Sequence, residues 1–215
     1  MATMRLALMP CVIALVLFIS AGRVDLPLYW AYVGMLVFGA AVAACALDRE
    51  LLAERVRPAA GGEDRAMRFL ALPFIAAHLV IAGLDCGRFG WSRVPQAAQA
   101  AALAGVALGY GLSIWAMIVN RFFSPVVRIQ SERGHTLVTR GPYRWVRHPG
   151  YAGALAAMLL GGPALGSWWA GVCILPVIAL MLRRTALEDR YLAKHLPGYA
   201  AYAGRVRWRL APGVY

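Results

Sequence analysis

Between His135 and Gly153 the chain reads HTLVTRGPYRWVRHPGYAG, and further on Arg184 and Glu188 stand four apart in MLRRTALEDRYLAKHLPGY. Tyr143, Trp145 and Tyr151 offer flat faces to an aromatic ligand. Pro149 pushes His148 away from helical geometry. The next helix is therefore expected to begin only around Gly150 or Tyr151, with backbone N–H groups free at its start, where anionic groups are attracted. Arg184 and Glu188 share one helical face. As a surface salt bridge that pair would contribute only about 0.2–0.5 kcal/mol, and a basic-aromatic stretch alone is an interfacial anchor, with arginines on lipid head groups. Two features speak against the plainer reading. His135 and His148 are poor lipid anchors, and Pro149 breaks a helix that a simple anchor would keep.

These residues need a scaffold, and the scaffold is apolar. Of 215 residues, 61% are hydrophobic and 15% charged, with a mean hydropathy of +0.61. Leu6–Gly22, Leu26–Leu47, Phe69–Leu84 and Val94–Asn120 lack Asp, Glu, Lys and Arg altogether. A helix needs about 20 apolar residues to cross roughly 30 Å of hydrocarbon, so these predict about four spanning helices. The apolar block Tyr151–Leu182 is too long for one crossing. Its interruption at GGPALGS, Gly161–Ser167, predicts a tight helical hairpin. A hairpin brings its ends together, so Arg184 and Glu188 should lie beside the His148 turn. The expected fold is an all-α integral membrane protein, one structural domain overall. Residues 1–120 would supply the transmembrane helices, and residues 121–215 a polar segment, the hairpin and a C-terminal tail. His135–Thr139 reads as extended and Gly141-Pro142 as a turn. The 48–68 segment reads as a mixed-charge, partly helical loop. Residues 1–22 have the make-up of a secretion signal, but Leu26–Leu47 follows at once and pairs naturally with them.

A net charge of +12 could suggest nucleic acid. Its placement argues otherwise. Of the 22 Lys and Arg residues, only Arg23, Arg88 and Arg93 fall on one side of the membrane in this topology. The remainder fall at Arg5, in 48–68, in 121–149 and in 183–215, which marks those segments as cytoplasmic. Cys11, Cys45, Cys86 and Cys173 form no C-x-x-C pair and no zinc-spaced cluster, so structural thiols and no metal are expected. His78 is the only ionisable residue away from the ends of the first four spans, and reads as a helix-packing hydrogen-bond partner. Gly34, Gly39, Gly105, Gly109 and Gly111 suit close helix contact.

HTLVTRGPYRWVRHPGYAG followed by RRTALEDRYL and LPGYAAY resembles the isoprenylcysteine carboxyl methyltransferase family and its bacterial relatives, over roughly residues 120–210. The combination of H-x-L-V, G-x-Y and R-H-P-x-Y-x-G is specific at this spacing; a lone R-H-P would be weak. The resemblance implies a small membrane enzyme using S-adenosylmethionine. It implies a cofactor site of His135, Thr136, Leu137, Val138, Tyr143, His148, Pro149, Gly150, Tyr151 and Glu188. Gln130 is the nearest match to an upstream glutamine, closer to the histidine than the family spacing. Arg184 matches the family arginine four residues before the cofactor-binding glutamate, and is expected to orient the acceptor. The family's Glu-Glu is here Glu188-Asp189, which leaves the role of the shorter side chain open. The implied reaction transfers an already activated methyl to a carboxylate of a lipid-like or prenylated acceptor. Such a carboxylate needs no general base, only alignment and desolvation.

Two alternatives stay open. A phospholipid amine N-methyltransferase would need a nearby base such as Glu188, Asp189 or His195. A sterol-reductase-type enzyme would bind NADPH, but usually has more spans. A multi-pass protein of a bacterial inner membrane is expected, in contact with membrane lipids and with its site facing the cytoplasm.

Overall fold

The computed structural model describes residues 2–56 and 65–214. It is built from helices, with no strand among the described residues. Helix α1 runs Ala2–Ala21, α2 Pro27–Ala46 and α3 Arg49–Val56; α4 is Arg65–Gly83, continued by a wider π turn, Leu84–Phe89. Helix α5 is Gln96–Val119, α6 Pro149–Ala164, α7 Trp168–Cys173, α8 Leu175–His195 and α9 Tyr199–Arg205. By length and composition, four segments are able to cross a membrane: Pro27–Ala46, Phe69–Phe89, Gln96–Val119 and Trp168–His195. Their outer faces carry Val37, Phe38, Phe69, Leu70 and Leu108, all exposed. Exposed apolar side chains in that density belong in lipid, so the chain is an all-α, multi-pass integral membrane protein.

The helical parts of the 48–68 segment are α3 and the start of α4; residues 57–64 lie outside the described residues. Helix α1 packs on α2 and α4, with Leu17 and Ala21 buried and Phe18 against Tyr29 and Trp30. The expected hairpin forms. Its first arm is α6, ending with Pro163 in its last turn, and Ser167 caps the return by accepting from the Ala170 N–H at 3.0 Å. The returning arm is jointed at Ile174 into α7 and α8.

Helices α5 and α6 form the most extensive pair. A Cβ on Gly109 would stand 2.5 Å from the Gly153 carbonyl, and one on Gly153 would stand 2.2 Å from the Gly109 carbonyl. Only glycine permits that backbone contact. Gly39 and Gly105 likewise meet Tyr110 and Leu160, whereas Gly34 and Gly111 face open space and take no part in packing.

The two membrane faces are distinct. At one, Arg88 donates to the Ser20 and Ile19 carbonyls, and buried Asp85 accepts from the Ser92 N–H at 2.8 Å, from the Ser92 hydroxyl and from the Ser167 hydroxyl at 2.6 Å. Asp85 lies just past the apolar run of α4, so the sequence pattern gave no hint of its burial. At the other face, Arg128 grips Glu54 through Nε (3.1 Å) and Nη2 (2.9 Å), and Arg133 Nε reaches Glu50 at 3.3 Å. These pairs fasten α3 to the polar segment 121–149, the grouping that the charge distribution predicts.

Candidate active site

The His148 turn is built by its neighbours. His148 caps α6 with φ −125° and ψ 61°, and Pro149 is the first helical residue. The helix thus starts one residue earlier than expected, because proline's fixed φ suits the first turn and excludes only the residue before it. The Tyr151 and Ala152 N–H groups fold back onto the His148 carbonyl at 3.1 and 3.0 Å. They are therefore not free for an anion, contrary to the sequence expectation.

Asp189 is the hub. It accepts from Arg147 Nε (2.7 Å) and Nη2 (2.9 Å), the Tyr199 hydroxyl (2.8 Å) and Arg209 Nε (2.9 Å), with His148 Nε2 at 3.2 Å. Arg147 Nη1 also donates to the Val206 and Arg207 carbonyls at 2.8 Å each. The Arg147 and His148 N–H groups donate to the Trp208 and Arg209 carbonyls at 2.9 and 2.8 Å. The C-terminal tail is thus strapped across the turn. Asp189 holds architecture, and its shorter side chain suits a buried position among three cationic or imidazole groups. Burial and the Asp189 charge push the Tyr199 hydroxyl well above its ordinary pKa, so it stays a donor.

Above this hub lies a polar cavity. His135, Thr136, Leu137, Val138, Tyr143, His148, Tyr151 and Glu188 all line it, so eight of the residues singled out from the sequence meet in one place. His135–Thr139 forms neither helix nor strand. Gly141, at φ +60°, makes the turn that aims Tyr143 inward. The Tyr143 hydroxyl accepts from Asn120 Nδ2 at 3.2 Å, and its carbonyl accepts from the Tyr202 hydroxyl at 2.7 Å. His135 stacks on Phe122 with ring centres 4.5 Å apart, and its Nδ1 accepts from the Gln130 N–H at 3.3 Å. Burial and the charges of Arg128 and Arg133 hold its pKa below the ordinary histidine value, so the ring is neutral at pH 7.

Gln130 is not brought to the cavity. It is fully buried, donating Nε2 to the Phe122 carbonyl at 2.6 Å and accepting from Arg133. That strut shapes the loop on which Phe122 and His135 stand. Pro149 is buried in the turn, and Gly150 faces a second cavity instead.

The second cavity is apolar and runs among α1, α2, α4, α5, α6 and α8. Arg184 lines it, together with Arg55, which sequence reasoning passed over as one basic residue in a mixed-charge loop. The Arg55 guanidinium lies 5.5 Å from the Phe123 ring centre. The two cavities share a wall of Phe123, Ser124 and Tyr151. Across it runs a relay: Arg184 Nε donates to the Tyr151 hydroxyl at 3.0 Å, and that hydroxyl donates to Glu188 at 2.5 Å. Arg184 and Glu188 are themselves 4.0 Å apart. Arg184 is buried, Glu188 is partly buried, and a tyrosine bridges them, which is not the arrangement of a plain surface salt bridge. Among the described residues no cluster of His, Cys, Asp or Glu could hold a metal ion.

A multi-pass helical membrane protein with a polar cavity at one face, joined through a tyrosine to an apolar cavity within the bundle, is the class that the fold and site define. Residues 101–194 match the isoprenylcysteine carboxyl methyltransferase (ICMT) family. Among curated proteins, the chain is 34% identical over 97 residues to the lamin-B receptor of Drosophila melanogaster, covering 43% of this chain and 13% of that protein. It is 38% identical over 84 residues to the cobalt-zinc-cadmium resistance protein CzcN of Cupriavidus metallidurans, covering 36% of each. It is 54% identical over 36 residues to a probable protein-S-isoprenylcysteine O-methyltransferase of Oryza sativa subsp. indica, covering 17% of this chain and 19% of that one. The chain thus spans at most about a third of the length of these relatives.

Proposed function

We propose that this protein is an S-adenosylmethionine-dependent membrane methyltransferase acting on the carboxylate of a lipid-like or prenylated acceptor. The observation that carries this reading is the shared wall: a polar cavity ending in Glu188 and an apolar one ending in Arg184 meet at Tyr151. The residues present fit the cofactor. Aromatic and aliphatic faces of Phe122, Leu137, Tyr143 and Leu192 suit adenine, and Glu188 suits the ribose hydroxyls. When bound, the cofactor supplies an activated sulfonium methyl.

The protein's contribution is placement. The charged residues lining the apolar cavity, among those described, are Arg55 and Arg184, with no carboxylate. Two cations at the polar end of an apolar cavity favour an anionic head and an apolar tail over a cationic amine. Arg184 orients the acceptor carboxylate, Tyr151 fixes Arg184 relative to Glu188, and the surrounding apolar walls exclude water. An amine acceptor would need a base such as Glu188, Asp189 or His195; Glu188 already accepts from Tyr151, Asp189 is tied to Arg147 and Arg209, and His195 is exposed.

Glu188→Ala should weaken S-adenosylmethionine binding by about ten- to a hundredfold, the loss of a hydrogen bond to a charged group. Calorimetry of the purified protein measures this, with NADPH as a parallel ligand. Undiminished affinity in a folded Glu188→Ala protein removes Glu188 from the site, and tight NADPH binding favours the reductase reading.

The proposed location is a bacterial inner membrane, with the polar cavity on the cytoplasmic side. Single cysteines introduced at Arg65 and Arg93 in a background without accessible native thiols test this in intact cells. The 93 site should react with an impermeant reagent added outside and the 65 site should not; the reverse pattern inverts the orientation.

A further inference from the structure

His78 takes no part in that chemistry, yet it lines the apolar cavity and is only 6% exposed. Its Nδ1 lies 2.8 Å from the Ala170 carbonyl oxygen on α7. A carbonyl only accepts, so in the neutral ring Nδ1 carries the proton and Nε2 is left as an acceptor. The Nε2 edge faces Gly161 on α6, where a Cβ would stand 3.3 Å from Nε2 and 3.4 Å from Cε1. Gly161 lines the same cavity. Among the described residues no donor meets Nε2.

The helix-packing role expected of His78 is thus filled by one nitrogen alone. The other presents a lone pair to an apolar chamber, where an unmet polar atom is costly. We propose that the chain held in this cavity carries a hydroxyl that donates to His78 Nε2, which makes the occupant a hydroxylated long-chain anion. Its head group lies at Arg184 and Arg55, and its tail runs along α6 toward Gly161. Tyr151 and Gly161 are ten residues apart on α6, about 15 Å along its axis. An extended chain advances about 1.2 Å per bond, which puts the hydroxyl about twelve bonds from the head. This assignment rests on reading the apolar cavity as the acceptor's site, and it narrows the acceptor class.

Tritiated stearate and 12-hydroxystearate, bound to the full-length protein in one detergent and measured by scintillation proximity, test it without any methyl transfer. The wild type should prefer the hydroxylated acid by about three- to tenfold, the yield of one net hydrogen bond. His78→Leu should abolish the preference while stearate still binds. Gly161→Ala should do the same while leaving the Ala170 bond in place, which covers the case in which His78→Leu does not fold. Comparing ratios between proteins cancels the difference in how the two acids partition into micelles. Equal affinity of the wild type for both acids, as expected if a water serves Nε2, overturns the proposal. So does a preference surviving in both variants, or no saturable binding of either acid. S-adenosylmethionine binding reports on the other cavity, so its failure would strike the methyltransferase reading separately.

Discussion

Asp189→Ala is expected to destabilise the protein by about 3–5 kcal/mol, because removing one partner of a buried ionic cluster leaves charges without compensation. Asp189 and Arg147 have side chains only 9% and 7% exposed, and Arg209 shares the same carboxylate. The loss should propagate. Arg147 and His148 hold the 206–209 tail through the backbone, and Tyr199 and His148 both meet Asp189. Without the hub, the tail loosens from the turn and the floor of the polar cavity goes with it. Thermal unfolding in detergent, followed beside S-adenosylmethionine affinity, should show both falling together. Asp189→Glu keeps the charge and should retain most of the stability. A wild-type midpoint in Asp189→Ala would show that the cluster holds nothing up.

Arg184→Lys should lower turnover by about one to three orders of magnitude, the cost of misplacing reactants, while cofactor affinity stays nearly intact. Arg184 Nε is committed to the Tyr151 hydroxyl at 3.0 Å, and its guanidinium lies 5.5 Å from the Tyr151 ring centre. A guanidinium can hold that hydroxyl and still present a planar fork to both oxygens of a carboxylate, whereas an ammonium is a point charge that cannot do both. If Arg184 served only to steady Tyr151, the substitution would disturb Glu188 through the relay and weaken cofactor binding instead. Methyl-transfer rates and calorimetry on the same variant separate these outcomes. Unchanged turnover takes Arg184 out of the reaction.

Much of this protein was legible in the chain itself. Apolar length fixes which segments can enter a bilayer, since backbone polar groups in hydrocarbon must be satisfied within the helix. Gly161–Ser167 announced the hairpin, and the hairpin placed Glu188 against Tyr151. The cavity-lining residues from His135 to Tyr151 were singled out through the family resemblance, which was recognisable because its motif is compact in sequence. What the chain alone left undecided is the pairing of distant groups. Asp189 meets Arg147 and Arg209 from three separate elements, Glu54 reaches Arg128 across the polar segment, and Arg55 arrives at the apolar cavity from a helix before α4. Gln130 had the right chemistry for a site but spends it on the Phe122 carbonyl. Arg184 and Glu188, neighbours on one helix, end on opposite sides of a wall because Tyr151 comes between them. Local rules act over three or four residues, whereas a cavity forms where side chains from helices far apart in sequence stop short of one another. Only the packed bundle decides where that happens.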